Sequence, residues 1–348
     1  MAFDPSRLPV GIAAVAGWTA VGRTAAAGAA AVRAGVSRLA EHPYMVDSEG
    51  VPFCVATDPD LDAHGQLARC SALLHGALAQ VLPTLAQLRP SKFRVHLAVP
   101  SRLGREAVRL VAVVRGICGA TAEVSTSNVD HAGGLIGLEQ AFSAIAARTL
   151  DAALVVGVDS FIDPDVLEAL DRDRANLAKH HRFGFPPGEG AGAVLLASPS
   201  LMRTARIPLL GAVEGVGSAD EPNVPGTEGI NTGEGLAAAI RKATATLRIP
   251  DDRVGTIYCD LNGQRHRSTE YAWSTQRVRP VFADTSDFIA PADAWGDVGA
   301  ASGPLLVGLA VASGVRRHAR FARSLVFSCS PAGHRAAALI HHDCQPSE

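Results

Sequence analysis

Short apolar runs alternate along the chain with longer segments whose apolar residues recur at helical spacing. Seven runs have the length and composition of buried strands: 10–16, 93–99, 152–158, 190–197, 209–216, 254–259 and 324–329. Three segments between them, 67–82, 131–147 and 235–247, have the spacing of helices. This alternation predicts an α/β fold with parallel strands and right-handed crossovers.

Composition narrows the class of protein without naming a function. The chain has 348 residues, of which 47% are hydrophobic, so it can bury one or two large cores. Its 32 Lys and Arg nearly balance 34 Asp and Glu, which gives no bias toward nucleic acid or an acidic membrane. No apolar run is long enough to span a bilayer. We therefore expect a soluble, cytoplasmic protein that binds neither nucleic acid nor membrane.

The six cysteines are scattered and form no CxxC pair. A zinc ribbon or a disulfide framework is therefore not expected, and reduced thiols are the simplest interpretation. No close-spaced set of ligands indicates a metal or a cofactor, so we expect neither. The segments EGAGAVLL at 189–196 and AGHRAAAL at 332–339 are weakly similar to each other. Each is a glycine-containing turn that leads into an apolar strand.

Motifs in a fixed order carry a resemblance to a known family. They are HAGGLIGLEQA at 131–141 with DAALVVG at 151–157, RFGFPPGEGAG at 182–192, DLNG at 260–263 followed by Glu270, GDVGAASG at 296–303, and SCSPAGHRA at 328–336. Together they resemble the β-ketoacyl-(acyl carrier protein) synthases of the thiolase-like superfamily over residues 8 to 342. The run at 182–192 is the most specific, being similar to the family's R-D-G-F-x-x-G-E-G-A-G.

The resemblance implies a fold and an assembly. The expected fold class is α/β, a thiolase-like fold of two similar α/β halves in a five-layer α-β-α-β-α arrangement. The halves would be residues 1–203 and residues 204–348. Such proteins usually pair as homodimers through the strand and helix around the nucleophile turn, so a homodimer is the default prediction.

The resemblance also places unexpected residues at the family's catalytic positions. His131 stands where the nucleophilic cysteine belongs, and Asn262 stands at the first catalytic histidine. Asp297 occupies the second histidine position, or Gly296 does if a one-residue gap falls differently. A carboxylate there would repel a developing enolate. The expectation is a pseudo-ketosynthase that has lost its condensing chemistry.

The loop at 328–336 bears on the oxyanion hole. In this family, that loop supplies one of the backbone N–H groups that form the hole. The match puts Pro331 at the donor position, and proline has no N–H. A shift of one residue would put Ser330 or Ala332 there instead. The register of the loop over 329–333 stays open from the sequence.

His131 has three interpretations. The first is a histidine that fills a vacated pocket and bonds to a neighbour; the second is an acyl-accepting nucleophile at a helix N-terminus. The third is a metal ligand together with Asp297 and His180 or His181, which no close spacing supports. Glu189, between two glycines, is interpreted as structural.

A small basic cluster follows Asn262. Arg265 and Arg267 would lie near the pocket mouth, where a carrier-protein phosphate or an acidic partner could dock, or they belong to a solvated loop. With His131, Asn262, Asp297 and Cys329, they complete the set of candidate pocket or partner contacts.

Three functions are consistent with these residues. The leading hypothesis is a catalytically degenerate homologue that acts as a protein- or acyl-binding, non-condensing subunit, accessory to a secreted-effector system. The second is a chain-length-factor type partner of an active ketosynthase, although such proteins usually have glutamine at the position of His131. The third is an acyltransferase or hydrolase that uses His131. The partner would be an effector, a ketosynthase or an acyl carrier protein.

Overall fold

The computed structural model describes residues 10–179 and 181–342. Within these ranges the strands are β1 (Val10–Thr19), β2 (Leu39–Val46), β3 (Pro52–Ala56), β4 (Phe93–Ala98), β5 (Glu123–Ser127), β6 (Ala152–Ser160), β7 (Glu189–Ala197), β8 (Gly211–Asp220), β9 (Ile257–Cys259), β10 (Phe288–Ile289), β11 (Arg323–Cys329) and β12 (His334–His341). The helices are α1 (Ala25–Arg33), α2 (Gln66–Leu88), α3 (Ala107–Cys118), α4 (Gly133–Ala146), α5 (Pro164–Arg172), α6 (Pro199–Ala205), α7 (Glu234–Ala243), α8 (Arg265–Arg277), α9 (Ala292–Trp295) and α10 (Ser302–Val315).

The main sheet repeats one strand pattern twice. Its order is β10-β9-β11-β12-β8-β1-β7-β6-β4-β5. In one half β4 pairs in parallel with β5 and β6, whereas β7 pairs antiparallel with β6 and β1. In the other half β9 pairs in parallel with β10 and β11, whereas β12 pairs antiparallel with β11 and β8. The two halves therefore share order and direction, as the duplicated fold predicts.

The halves meet at a narrow seam. Only the start of β1 pairs with β8, through Val10 with Val213, Gly11 with Ala212 and Ile12 with Gly211. The two five-stranded units thus form one continuous ten-stranded sheet. The predicted boundary between residues 203 and 204 falls inside α6, and it stays a prediction.

The predicted strands are confirmed in position, but not all in direction. The runs at 10–16, 190–197 and 209–216 belong to antiparallel strands rather than parallel ones. Their sequences are continuously apolar because other elements cover both faces of these strands. A continuous apolar run therefore indicates burial on both faces of a strand and does not indicate its direction.

Alternating side chains of the strands enter different cores, which produces the layers. Ala153 and Val155 of β6 pack in a central cluster with α4 and α10, while Leu154 and Val156 pack in an outer cluster with α2. In β12, Ala338 and Ile340 enter the central cluster, and Ala337 and Leu339 enter a second outer cluster with α7. Helices α4 and α10 therefore lie between the two half-sheets, giving five layers.

Helices α4 and α10 approach each other through glycine. A Cβ on Gly134 would lie 2.4 Å from Cδ of Pro304, and one on Gly303 would lie 2.9 Å from the backbone N of Leu135. Because no side chain fits at either position, both glycines are needed for the crossing. The crossing brings the N-terminal ends of the two helices together, and the candidate site lies there.

None of the helices in the described part of the chain combines the length and the apolar character that a membrane span requires.

Candidate functional site

Two short 3₁₀ turns position residues of the candidate site. Asp130–Ala132 leads into α4, and Gly299–Ala301 leads into α10. Asp130 has a φ of 56°, in the left-handed region, and its carboxylate accepts bonds from the N–H (2.7 Å) and the hydroxyl (2.9 Å) of Ser101. An aspartate tolerates this conformation better than most residues. The turn aims His131 inward.

His131 is bonded to Asp297. Its Nε2 lies 2.8 Å from Oδ1 and 3.0 Å from Oδ2 of Asp297, and each residue is only 4% exposed. Asp297 also accepts bonds from Nδ2 of Asn262 at 2.6 Å and from the N–H of Gly299 at 2.8 Å. The structure thus brings together three of the four positions that the resemblance assigns to catalysis, His131, Asn262 and Asp297. This geometry agrees with a histidine that fills the pocket and bonds to a neighbour.

The surroundings of Asp297 keep it ionised. Burial would raise the pKa of this carboxyl, but the hydrogen bonds from His131 and Asn262 and the positive charge of Arg267 hold the pKa far below its usual value. A buried carboxylate with this many donors is a stable anion. It cannot stabilise a second negative charge beside it, as a condensing site would require.

The orientation of the imidazole follows from these bonds. Nε2 faces a carboxylate, so it carries the hydrogen, and Nδ1 has no hydrogen-bond partner among residues 10–179 and 181–342. The guanidinium of Arg267 lies 3.3 Å from the same Nε2. Since both nitrogens carry a hydrogen and act as donors, this contact is not a hydrogen bond.

Arg267 and Cys329 join the buried group through Asp260. The carboxylate of Asp260 accepts from Nη1 of Arg267 at 2.9 Å and from the N–H of Cys329 at 2.8 Å. The interpretation of 264–267 as a solvated loop does not hold for Arg267, because this residue lies in the first turn of α8 and points inward to Asp260. Burial raises the pKa of the Cys329 thiol well above its ordinary value, so Cys329 is not a substitute thiolate nucleophile.

The last loop brings Ser330, not Pro331, to the turn of His131. The hydroxyl of Ser330 accepts from the N–H of Ala132 at 2.9 Å and donates to the carbonyl of Val129. Pro331 is exposed at the tip of the turn. The N–H of Ser330 donates to the carbonyl of His334 at 2.8 Å, so this donor is already engaged. A loop register with Ser330 at this place is one of the alternatives that the sequence left open.

Arg265 lies apart from the buried group. Its side chain is exposed, and its guanidinium carbon lies 5.8 Å from the ring centre of Phe183, which is also exposed. Of the six candidate contacts, the structure therefore clusters His131, Asn262, Arg267, Asp297 and Cys329, and it leaves Arg265 on the surface.

The space beside the site is small. A cavity of about 20 Å³ lies between Asn262, Asp297 and Trp295. That volume holds about one water molecule, whereas pockets for small molecules have roughly 300–1,000 Å³. This cavity cannot hold an acyl chain.

One supporting ion pair was not singled out from the sequence. Arg335 of β12 pairs with Glu270 of α8 at 2.5 Å, and Nη1 of Arg335 donates to the carbonyl of Ser330 at 2.6 Å. The sequence signal for this ion pair was an arginine directly before the apolar residues of β12. Glu189 likewise pairs with Arg69 in the core, as its structural interpretation expects.

The structure supplies no geometry for the metal hypothesis. Among the described residues, no group of three or more His, Cys, Asp or Glu side chains is arranged to hold a metal ion. His180, one of the ligands considered, lies outside the described residues.

Comparison with known proteins identifies the fold. Residues 90–200 match the family model of the β-ketoacyl synthase N-terminal domain, which is less than half of the chain. No curated protein matches the sequence. Solved structures match over nearly the full length. The chain has the ketosynthase fold. The predicted thiolase-like α/β class is thereby confirmed.

Three of these structures illustrate the range of matches. One is a type II polyketide ketosynthase in complex with its acyl carrier protein, with a TM-score of 0.79, 14% identity, and coverage of 96% of this chain and 98% of that chain. A second is a ketosynthase in complex with its chain length factor from Xenorhabdus doucetiae, with a TM-score of 0.78, 17% identity, and coverage of 98% and 100%. A third is a bacillaene synthase ketosynthase from Bacillus subtilis 168, with a TM-score of 0.77, 15% identity, and coverage of 96% and 72%.

Proposed function

We propose that this chain is a non-condensing subunit with the ketosynthase fold, which acts by binding another protein. The observation that carries the proposal is the buried bond between His131 and Asp297, which stands where the resemblance places the thiol and the second histidine. Neither group is placed to carry an acyl thioester or to stabilise an enolate.

The volume at the site favours protein binding over acyl binding. The cavity beside Asn262 and Asp297 has room for about one water molecule. The protein partner of this proposal is a second copy of the chain or an active ketosynthase. Structures of ketosynthases in complex with a chain length factor or with an acyl carrier protein are among the matches, which supports a protein partner of this kind.

An unpaired strand edge supports the same proposal. Within residues 10–179 and 181–342, strand β5 ends the ten-stranded sheet and pairs on one side only, with β4. A strand edge with free N–H and C=O groups is a template for pairing with another chain. The strand also immediately precedes the turn that holds His131, which is the region that the family resemblance assigns to the dimer.

Intact-protein mass spectrometry tests the loss of acyl chemistry. The wild type and His131→Ala are each incubated with acyl-CoA and with acyl carrier protein donors, and an active ketosynthase serves as the positive control. We expect no covalent adduct at position 131 in either variant, because His131 is bonded to Asp297 and burial raises the pKa of the neighbouring Cys329 thiol. An acyl adduct on the wild type that disappears in His131→Ala contradicts the proposal.

The second candidate is an acyltransferase or hydrolase that uses His131, and one observation favours it. Asp297 holds Nε2 and leaves Nδ1 without a partner among the described side chains, the arrangement in which a carboxylate orients an imidazole that acts as a base. Turnover of a short acyl ester that is lost in both His131→Ala and Asp297→Asn would select this candidate.

A further inference from the structure

A large cleft lies away from the buried site, between the start of α2, the start of α3 and α5. Its volume is about 720 Å³, which falls in the range of small-molecule sites. The floor is apolar and is made by Leu67, Leu103, Phe161, Val166 and Leu170. No step of the proposed function uses this cleft.

Arg102 stands in the cleft as a fixed cation. Its Nη2 donates to the buried carboxylate of Asp159 and, at 2.9 Å, to the carbonyl of Ser160. Its guanidinium carbon lies 4.2 Å from the ring centre of Phe161. Because one nitrogen is anchored and the plane is stacked, the group loses little further freedom when it binds a ligand.

Part of this guanidinium remains available. Nε and Nη1 of Arg102 have no hydrogen-bond partner among residues 10–179 and 181–342, and about a quarter of the side chain, 26%, is exposed. Arg109 lines the same wall. Leu67 and Ala68, in the first turn of the long helix α2, also line the cleft, and at this helix start the N–H of Gln66 already donates to the carboxylate of Asp163 at 3.1 Å.

The rest of the rim limits the charge of the ligand. Glu106, Asp165 and Asp173 also line the cleft and are exposed, and Asp163 lines it with its carboxylate accepting from the N–H of Gln66 at 3.1 Å. These four carboxylates repel a multiply charged anion such as a phosphate more than a single carboxylate. The apolar floor in turn favours a ligand with an apolar body.

We propose that this cleft binds a monocarboxylate with an apolar chain, with the carboxylate on Arg102 and the chain on the floor made by Leu103, Val166 and Leu170. The proposal is independent of the function of the buried site.

Calorimetric titration of the full chain with octanoate tests the proposal. Octylamine has the same chain with the opposite charge, and inorganic phosphate is an anion without a chain. We expect octanoate to bind about ten- to a hundredfold more tightly than either, as one charge-assisted bond and a buried chain predict. Equal binding of octylamine or of phosphate, or no binding of octanoate, overturns the proposal.

Two variants locate the site. Arg102→Gln removes the cation, and Ala169→Trp fills the cleft from α5 and leaves the Arg102 residue in place. Both are expected to weaken octanoate binding at least about tenfold, whereas Arg115→Gln, an exposed arginine on α3, is expected to leave it unchanged. Ala169→Trp decides the matter if Arg102→Gln does not fold, and unchanged binding by a folded Ala169→Trp overturns the proposal.

Discussion

At the scale of single residues, Asp297 organises the buried group. It accepts from His131, from Asn262 and from the N–H of Gly299, and it also lies near the guanidinium of Arg267. A buried ion pair contributes little net stability, but loss of one partner leaves the other buried and unpaired. The group is therefore sensitive to truncation.

We predict that Asp297→Ala lowers the free energy of unfolding by about 3–5 kcal/mol, because it leaves Nε2 of His131 without its acceptor and removes the shorter of the two bonds donated by Nδ2 of Asn262. Urea unfolding followed by circular dichroism measures the change. The matched control is Asp293→Ala, an exposed residue nearby whose change is expected to stay within about 0.5 kcal/mol. Equal effects of the two variants would contradict this account.

Buried histidines link stability to pH. Burial lowers the pKa of His96, His266 and His342 to about 4 each, from 6.5. Between pH 6.5 and 4 the unfolded chain therefore binds more protons than the folded one. The stabilisation is complete above pH 6.5 and is lost as the pH falls toward 4.

We predict that the free energy of unfolding decreases between pH 6.5 and 4, and that His342→Gln reduces this decrease by up to about 3 kcal/mol. His342 is almost fully buried, so its whole shift bears on stability. Urea unfolding at four pH values measures the slope. His64→Gln, at an exposed position, is expected to leave the slope as it is in the wild type.

The residues of the site were partly predictable. The motif matches selected His131, Asn262 and Asp297, because each sits in a turn with a fixed number of residues before a helix or after a strand. The position of Ser330 was not decidable, because a tight turn after β11 can slide by one residue without changing the sequence pattern. The inward direction of Arg267 depends on Asp260 across the fold, which no local pattern contains.

At the scale of elements, the crossing of α4 and α10 controls the geometry of the site. A Cβ on Gly303 would lie 2.9 Å from backbone, whereas the nearest atom to one on Gly308 would be 4.0 Å away. The two glycines are on the same helix. Alanine substitutions at the two positions therefore distinguish the steric requirement for glycine from the helix propensity of alanine.

We predict that Gly303→Ala destabilises the protein by about 1–3 kcal/mol, since it forces α4 and α10 apart. Gly308→Ala is expected to be neutral or to stabilise by about 0.5–1 kcal/mol, since alanine favours a helix. Thermal unfolding of the two variants measures both. A Gly303→Ala protein that is as stable as Gly308→Ala would show that the helices are not in close contact.

The apolar strands and three helices were predicted, whereas the polar strands and the apolar helices α3 and α10 were not. All seven apolar runs fall on strands. The segment at 67–82 lies within α2, the segment at 131–147 contains α4, and the segment at 235–247 overlaps α7. Strand β5, with the sequence EVSTS, was missed because an edge strand pairs on one side and carries polar side chains. The β2–β3 hairpin was missed because it lies outside the main sheet.

At the scale of the whole molecule, the duplicated fold leaves β5 at one end of the sheet. We predict that light scattering finds a dimer, and that Thr126→Asp on β5 shifts it toward monomer, because it sets like charges close together across a two-fold interface. Thr121→Asp, exposed but outside the strand, is the control and is expected to remain dimeric. A wild type that is monomeric alone and dimeric with an active ketosynthase from the same genome would favour the chain-length-factor type of subunit.

The seam between β1 and β8 has a consequence for biosynthesis. Strand β1 ends at Thr19, but its principal neighbour β7 begins only at Glu189, and its other neighbour β8 follows later still. During translation at roughly 5–20 residues per second, β1 therefore waits on the order of ten seconds with both edges unpaired. An apolar strand in that state is a target for chaperones and for aggregation. Ribosome-bound chains that end before residue 189 should accordingly be the species that chaperones hold.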